Sequence, residues 1–238
     1  MVGGPRPRLV LVTDPVYGDD AIVRCVESVG GALPWGWLCV QLRDKHRPLV
    51  SLRVFASRLR LVTRAVSALL VVNGDPRLAR DVGADGVHLG RDAGSVADAR
   101  AVCGSRAWIS VSAHSDGAVR RAIADRADAV LVSPVFPSRP PSVLAPSKEG
   151  RGLDALRSAH RIAHEAGSPI GVFALGGVDA DNARACAEAG ADGVAVVRAL
   201  LASHDPGRIA RALHDAMTAR PSGTHSRPPG APGAPGAY

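Results

Sequence analysis

Short apolar runs alternate along the chain with longer stretches in which apolar residues recur at helical spacing. Short apolar runs are typical of strands buried on both faces, and the periodic stretches are typical of amphipathic helices. The predicted strands are Leu9–Thr13, Trp37–Leu42, Ala68–Val72, Gly86–Leu89, Trp108–Val111, Ala129–Val132, Ile170–Leu175 and Gly193–Val197. The predicted helices are Asp20–Val29, Ser51–Arg64, Pro76–Val82, Ser95–Val102, Ser115–Arg126, Leu153–Ala166, Ala180–Ala189 and Pro206–Ala219.

Eight strands, each followed by a helix, predict an α/β fold of the (β/α)8 TIM barrel type in a single domain. A doubly wound open sheet has the same alternation, but no feature of the sequence marks a reversal of strand order. We predict that the barrel spans residues 9–219, after a flexible lead at residues 1–8. Residues 220–238 are rich in Pro, Gly and Ala, which predicts a disordered tail.

One joint between a helix and the next strand occurs three times, as Val82–Val87, Ala189–Val194 and, more loosely, Arg126–Val130. Each copy ends a helix at a small residue and passes through an aspartate before the strand begins; these aspartates are Asp85, Asp128 and Asp192. They precede their strands and therefore lie at the amino end of the barrel, where residues of such folds serve stability rather than catalysis. We predict a structural role for all three.

Composition narrows the classes of function. The chain is 46% hydrophobic, which suffices for a substantial core, and its net charge of +7 comes mainly from scattered arginines. Aromatic residues are only 3%, so the stacking platforms of nucleic-acid-binding proteins are missing and we expect no nucleic-acid partner. We also expect no membrane segment. The four cysteines are far apart in the sequence, which favours a reducing cytoplasm over a disulfide framework.

A polar triplet follows the second predicted strand. Side chains alternate along a strand, so Gln41, Arg43 and Lys45 are expected on one side and Val40 and Leu42 on the other. Three hydrogen-bond donors, two of them cationic, would then converge at the carboxyl end of the strand. Phosphate or pyrophosphate is the natural ligand for such a cluster.

Several other strands end in residues that are suited to binding or catalysis. Barrels of this type have their active sites at the carboxyl ends of the strands. These residues are Asn73, His88, Ser112, His114, the glycines Gly176 and Gly177, and the turn Val197 and Arg198. The glycine pair and the helix start after the last strand supply backbone N–H groups for a phosphate monoester. Two anion sites at one mouth predict small ligands that carry phosphate.

In their order along the chain, five motifs resemble those of thiamine-phosphate synthases and of the related thiazole tautomerases. The motifs are Val40–Lys45, Gly83–Gly90, Val111–Ser115, Pro134–Pro137 and Gly176–Val178, and the resemblance covers roughly residues 9–202. The synthase branch is the more similar one, because the full Gln-Leu-Arg-Asp-Lys run is present.

The resemblance implies a cytoplasmic transferase of thiamine biosynthesis that joins hydroxymethylpyrimidine diphosphate to hydroxyethylthiazole phosphate. By the same resemblance Gln41, Arg43, Lys45 and Asn73 would hold the diphosphate, and Ser112 would contact the leaving group. Gly176, Gly177, Val197 and Arg198 would hold the thiazole phosphate. The partners are then small phosphorylated heterocycles, and whether copies of the chain associate is left open.

The sequence departs from the family pattern at the residues that would bind Mg²⁺. Gly74 and Ala93 occupy the places of the two expected carboxylates, while Asp75 and Asp92 each lie one residue out of register. Magnesium requires carboxylate oxygens in strict octahedral geometry, so this cofactor is in doubt. The lysine expected after Pro137 is also displaced, and Lys148 or Arg139 would have to replace it.

These departures keep two alternatives open. One is a metal-independent thiazole tautomerase, in which a histidine at the place of His114 would move protons. The Glu149–Gly152 stretch resembles that branch. The other alternative is a barrel that binds a phosphorylated heterocycle without turning it over.

Overall fold

Parallel strands close into a barrel in the order in which they occur along the chain, and the last strand pairs with the first. The computed structural model describes residues 7–90, 93–137 and 149–219. The strands are β1 (Leu9–Val12), β2 (Leu38–Leu42), β3 (Leu69–Asn73), β4 (Gly86–Leu89), β5 (Trp108–Ala113), β6 (Ala129–Val132), β7 (Gly171–Leu175) and β8 (Gly193–Val196). The predicted TIM barrel is confirmed.

Helices follow the strands and cover the outside of the barrel. They are α1 (Asp19–Ala32), α2 (Leu49–Ala65), α3 (Pro76–Asp81), α4 (Val96–Cys103), α5 (Asp116–Ala124), α6 (Leu153–Glu165), α7 (Ala183–Glu188), α8 (Arg198–Leu201) and α9 (Pro206–Thr218). A 3-10 turn at Pro15–Tyr17 lies between β1 and α1. Among the described residues, no helix is long and apolar enough to cross a bilayer.

Side-chain alternation divides the apolar core into two layers. The larger cluster joins one face of every strand to the helices. The smaller cluster contains the alternate strand residues and fills the barrel; it includes Val10, Cys39, Val71, Leu131 and Phe173. Because Cys39 faces the interior, alternation along β2 directs Gln41 toward the interior as well.

The three repeated joints make the same contact in the structure. In each, the aspartate before a strand accepts a hydrogen bond from a backbone N–H of the preceding strand. The pairs are Asp85 with Leu70, Asp128 with Ile109 and Asp192 with Val172, each at 2.8 Å. Arg60 and Arg100 also bind the first two of these carboxylates. The predicted structural role of the three aspartates is confirmed.

The predicted lead extends one or two residues too far. Pro7 is buried, and the N–H of Arg8 donates to the carbonyl of Trp37 at 2.9 Å. The carbonyl of Arg8 accepts from Val194, so Arg8 continues the pairing of β1 with its neighbours. Residues 1–6 and the predicted tail at residues 220–238 lie outside the described residues.

Candidate active site

The end of β2 is fixed to the end of β1. Thr13 is 2% exposed, and its hydroxyl oxygen accepts the backbone N–H of Arg43 at 2.8 Å. The hydroxyl in turn lies 3.3 Å from the Arg43 carbonyl, to which it donates. Thr13 therefore holds the backbone of Arg43 at the carboxyl end of the barrel.

Gln41 carries an unusual buried donor. The residue is 2% exposed, yet its amide nitrogen Nε2 has no hydrogen-bond partner among the residues the structure describes. A buried polar group without a partner costs about 1–3 kcal/mol, so such groups in native structures call for an explanation. A bound ligand at the mouth of the barrel would supply the missing acceptor.

His88 lies in the interior between two serines of β5. Its Nδ1 is 2.9 Å from Ser110 Oγ and its Nε2 is 3.0 Å from Ser112 Oγ. The pKa of His88 is lowered to about 4, chiefly by burial and to a smaller extent by the charges of Arg43 and His114. The ring is therefore neutral at physiological pH. Arg43, His114 and His88 also lie close enough to interact, which brings three of the predicted site residues together.

A neutral imidazole has one donor and one acceptor, so one serine hydroxyl donates to the ring of His88 and the other accepts from it. This chain fixes the hydroxyl of Ser112, which is half-buried at the carboxyl end of β5. The family resemblance assigns the leaving group to Ser112. His88 was predicted only from its place at a strand end, and its hydrogen bonds give it the function of orienting Ser112.

His114 follows β5 and is exposed. Its Nδ1 is 2.8 Å from the backbone carbonyl of Ser133, which can only accept, so Nδ1 carries the proton in the neutral ring. The tautomer leaves Nε2 with a free lone pair, and Nε2 has no hydrogen-bond partner in the described parts of the chain. His114 is thus oriented as a base.

Lys45 differs from the other members of the triplet. Strand β2 ends at Leu42, and Lys45 lies in an exposed bend beyond it. The alternation on which its predicted position depends does not extend that far. The position of Lys45 over the cavity stays a prediction.

The second predicted anion site lies after β7 and β8. Gly176 and Gly177 have φ angles of 98° and 64°, in the region that favours glycine. Within the described residues, no hydrogen bond uses the backbone N–H of Gly177, Val197 or Arg198. The start of α8 and the glycine turn therefore present free donors at the carboxyl end of the barrel, and their binding of a phosphate stays a prediction.

The segment between β1 and α1 lies between the two sites, because β2 and β8 both pair with β1. Burial raises the pKa of Tyr17 on this segment, and the charge of Arg198 lowers it by a smaller amount. Tyr17 is therefore near the predicted thiazole phosphate site. Sequence reasoning missed Tyr17, since a tyrosine in a short turn carries no motif.

A cavity of about 350 Å³ lies at the opposite, amino end of the barrel. Its lining includes Trp108, Phe173 and the aspartates Asp128 and Asp192, which already bind strand backbone. The carboxylates of this lining thus already serve to hold the barrel together. We place the active site at the carboxyl end, where the unpaired donors are.

The described residues do not fit a magnesium site. Among them there is no cluster of three or more His, Cys, Asp or Glu side chains that could bind a metal ion. Asp75 Oδ1 accepts the N–H of Leu78 at 2.9 Å and caps α3. Gly74 contributes no side chain. Asp92 lies outside the described residues, as do Lys148 and Arg139.

We expect Asp75→Asn to leave both stability and turnover nearly unchanged, because asparagine caps a helix about as well as aspartate does. Asp75→Ala, which removes the cap, should lower the free energy of unfolding by about 1 kcal/mol. Thermal unfolding and turnover across a Mg²⁺ titration check this. A large rise in the Mg²⁺ concentration that Asp75→Asn requires would instead identify Asp75 as a metal ligand.

The chain is similar to known proteins along most of its length. A family model described as thiamine monophosphate synthase matches residues 9–200. The thiamine-phosphate synthase of Gloeobacter violaceus is 40% identical over 204 residues, which are 84% of this chain and 54% of that protein. The putative thiamine-phosphate synthase of Geobacter sulfurreducens is 40% identical over 205 residues, 86% of this chain and 92% of that protein.

The fold has a matching solved structure. Thiamine phosphate pyrophosphorylase from Pyrococcus furiosus superposes with a TM-score of 0.74 at 27% identity, over 88% of this chain and 95% of that one. The matched part of the chain therefore corresponds to nearly the whole length of the Pyrococcus protein and of the Geobacter relative, but only to about half of the Gloeobacter relative.

Proposed function

The chain belongs to the thiamine monophosphate synthase family, and from that membership we propose that it is a thiamine-phosphate synthase. The reaction joins hydroxymethylpyrimidine diphosphate to hydroxyethylthiazole phosphate and releases pyrophosphate. It is an alkyl transfer in thiamine biosynthesis, and its substrates are small phosphorylated heterocycles. The four cysteines are all free thiols, which supports our placing the enzyme in the reducing cytoplasm.

One observation carries the proposal: the amide nitrogen of Gln41 is buried without a partner among the described residues, two positions before Arg43, whose charge acts on His88 in the barrel interior. A buried donor without an acceptor would be unfavourable in a protein that bound nothing there. A diphosphate supplies both an acceptor for the amide and a counter-charge for the guanidinium. Asn73, which ends β3 beside His88, would add a third donor.

In the first step the bond between the pyrimidine methylene carbon and the diphosphate oxygen breaks. The bonding electrons leave with pyrophosphate, and the carbon becomes a cation that the pyrimidine ring stabilises. Negative charge grows on the leaving group, so the main catalytic task is electrostatic. A unit positive charge at ~4 Å is worth about 4 kcal/mol at an effective dielectric constant near 20. Arg43 supplies that charge, and the oriented hydroxyl of Ser112 donates a hydrogen bond.

In the second step the lone pair of the thiazole nitrogen forms the new carbon–nitrogen bond. No proton transfer is needed, because the nitrogen becomes the positive ring nitrogen of the product. The protein contributes position: the free N–H groups of Gly177, Val197 and Arg198 hold the thiazole phosphate. The family resemblance alone assigns Lys45 to the diphosphate, and it alone gives Lys148, or Arg139 in its place, the catalytic role of the family's displaced lysine. Since the described residues do not fit Mg²⁺, we derive no step through it.

The direct test incubates the purified chain with both phosphorylated substrates, with and without Mg²⁺. We expect thiamine phosphate and pyrophosphate to form in equal amounts, and neither product to form from one substrate alone. If no thiamine phosphate forms either with or without Mg²⁺, the proposal is refuted. Thermal stabilisation by the two ligands without product would then indicate a non-catalytic binding barrel.

A second candidate function rests on His114. Its ring is oriented through Nδ1, and its Nε2 carries a free lone pair at the mouth of the barrel. A base so placed would suit a thiazole tautomerase, which moves protons on a thiazole phosphate without a metal. That reading predicts proton exchange into a thiazole phosphate that survives a chelator and is abolished in His114→Ala. The synthase reaction, by contrast, needs no base and should persist in that variant.

A further inference from the structure

The side chain of Arg47 contacts three other side chains, and the function proposed above does not account for these contacts. Its Nη1 and Nη2 donate to the two carboxylate oxygens of Asp19 at 2.8 and 2.7 Å. Its Nε donates to Asp44 Oδ2 at 2.8 Å, and its guanidinium lies 4.9 Å from the centre of the Phe55 ring. Arg47 thus connects the loop after β2 with the start of α1 and with α2.

The loop that Arg47 holds is the one that carries Arg43 and Lys45. Asp44 Oδ1 accepts the backbone N–H groups of His46 and Arg47 at 3.2 and 3.1 Å. The Asp44 side chain is only 7% exposed. Because Thr13 binds the backbone of Arg43 and Asp44 binds the backbone of His46 and Arg47, the loop is fixed both at Arg43 and directly after it.

The charge of this cluster argues against a direct role in binding an anion. Arg47 carries one positive charge, while Asp19 and Asp44 carry two negative charges, so the cluster is net negative. The hydrogen bond from Arg47 lowers the pKa of Asp19, which is therefore ionised at neutral pH. A net negative cluster near a diphosphate site weakens binding by its charge alone. Its benefit has to be geometric.

We propose that Arg47 is a positioning residue for the pyrimidine diphosphate: by joining Asp44 to Asp19, it holds the loop after β2 so that Arg43 meets the diphosphate. This inference rests on the proposed function. We call Arg47 with Asp19 and Asp44 the clamp. The loop that it holds follows β2, whereas the predicted thiazole phosphate site follows β7 and β8, so the clamp should act mainly on the diphosphate. Groups held loosely bind and orient a substrate less well, and a misplacement of about 1 Å can cost roughly a hundredfold in rate.

Two variants separate geometry from charge. Arg47→Lys keeps the positive charge but loses the planar fork that binds a carboxylate through two hydrogen bonds. Asp19→Asn removes a negative charge, so it should tighten diphosphate binding if charge dominates and weaken it if the clamp dominates. We expect both variants to raise KM for the pyrimidine diphosphate about tenfold, by partial loss of orientation. KM for the thiazole phosphate should stay within about twofold, because that site lies after β7 and β8.

Arg60→Lys is the matched control. Arg60 forms the same kind of fork with Asp85, at 2.6 and 3.0 Å, but at the amino end of the barrel. The control should lower the thermal midpoint at least as much as Arg47→Lys does, without changing either KM. If it raises KM for the diphosphate equally, the effect of Arg47 is general loosening of the barrel and the proposal is overturned. Tighter diphosphate binding by Asp19→Asn would also overturn it.

Calorimetric binding of inorganic pyrophosphate keeps this test separate from that of the synthase reaction. If the wild type forms no thiamine phosphate but binds pyrophosphate, and Arg47→Lys and Asp19→Asn bind it about tenfold more weakly, the clamp stands and the synthase proposal fails. If the wild type turns over and the variants bind pyrophosphate as tightly as it does, the synthase proposal stands and the clamp fails. A wild type that neither forms thiamine phosphate nor binds pyrophosphate overturns both.

Discussion

Arg43→Gln is expected to lower kcat/KM for the pyrimidine diphosphate by about two to three orders of magnitude. The reason is the loss of a unit charge beside the leaving group, worth about 4 kcal/mol at ~4 Å and an effective dielectric constant near 20, with each ~1.4 kcal/mol equal to a tenfold change in rate. Glutamine keeps the backbone N–H that Thr13 accepts, so the end of β2 should stay in place. Steady-state kinetics with each substrate varied in turn measures the effect.

The same substitution has a second readout that needs no turnover. The charge of Arg43 is the second-largest cause of the lowered pKa of His88, after burial. Removing the charge should therefore raise the pKa of His88 above about 4, although burial should still keep it below the ordinary value of 6.5. An NMR titration of the histidine ring follows this shift directly.

The titration of His88 also sets the sign of a stability effect. The unfolded chain takes up the His88 proton near pH 6.5, but the folded protein does so only near pH 4. The folded state therefore loses stability as the pH falls through this window. Arg43→Gln narrows the difference between the two pKa values, so the variant should lose less stability between pH 6.5 and 4 than the wild type.

Arg53→Gln is the control for Arg43. Arg53 is a half-exposed arginine of α2 that pairs with Asp81 at 2.8 Å, so the variant loses one positive charge outside the site. Its kcat/KM should stay within about twofold, since exposed ion pairs contribute little. If Arg43→Gln behaves like Arg53→Gln in both kinetics and His88 titration, Arg43 does not act on the leaving group.

The sequence was sufficient to predict the barrel because its strands are short apolar runs that alternate with stretches of helical spacing, and the aspartate joints mark the start of three of them. The predicted bounds of β4 and β6 match the structure. Strand β5 continues two residues beyond the predicted Val111, to Ala113. Ser110 and Ser112 interrupt the apolar pattern, but both face His88 in the interior, which supplies the partner that burial requires.

Local side-chain bonds explain the shorter α7. The sequence predicts a helix over Ala180–Ala189, whereas α7 spans Ala183–Glu188. Asp179 accepts the backbone N–H groups of Asp181 and Asn182, and Asn182 accepts that of Asp179. Such bonds compete with the helix for its first backbone donors. Helical spacing alone cannot show this competition.

The residues that escaped prediction depend on contacts between distant parts of the chain. Arg47 binds Asp19, which lies 28 positions earlier, and neither residue belongs to a motif. Tyr17 and Arg198 are near enough for the charge of Arg198 to act on Tyr17 because β1 pairs with β8. Strand ends could be predicted because topology alone places them at one mouth. The side chains that orient them could not, because their partners are fixed by packing rather than by spacing.

Gly177→Ala is expected to raise KM for the thiazole phosphate by about one to two orders of magnitude, because it displaces the backbone donors that hold the phosphate. Gly177 has a φ of 64°, and a Cβ there would lie 2.7 Å from the carbonyl oxygen of Pro137 and 2.8 Å from Phe136 Cβ. The φ angle alone costs about 1–2 kcal/mol for an L-residue. The contact with backbone means that the turn itself has to move. Kinetics with the thiazole phosphate varied, together with thermal unfolding, measure both effects.

Gly167→Ala separates the strain from the displacement. Gly167 has a similar φ of 57° after α6, but a Cβ there would meet no atom within 4 Å. This control should lose about 1–2 kcal/mol of stability from the φ angle and leave KM for both substrates unchanged. Gly177→Ala should have a lower free energy of unfolding than the control, because its Cβ also collides with neighbouring atoms. It should raise KM for the thiazole phosphate and change KM for the pyrimidine diphosphate little. Equal effects on both substrates would contradict the assignment of this turn to one phosphate, since the diphosphate site is built from β2 and β3 on the other side of β1.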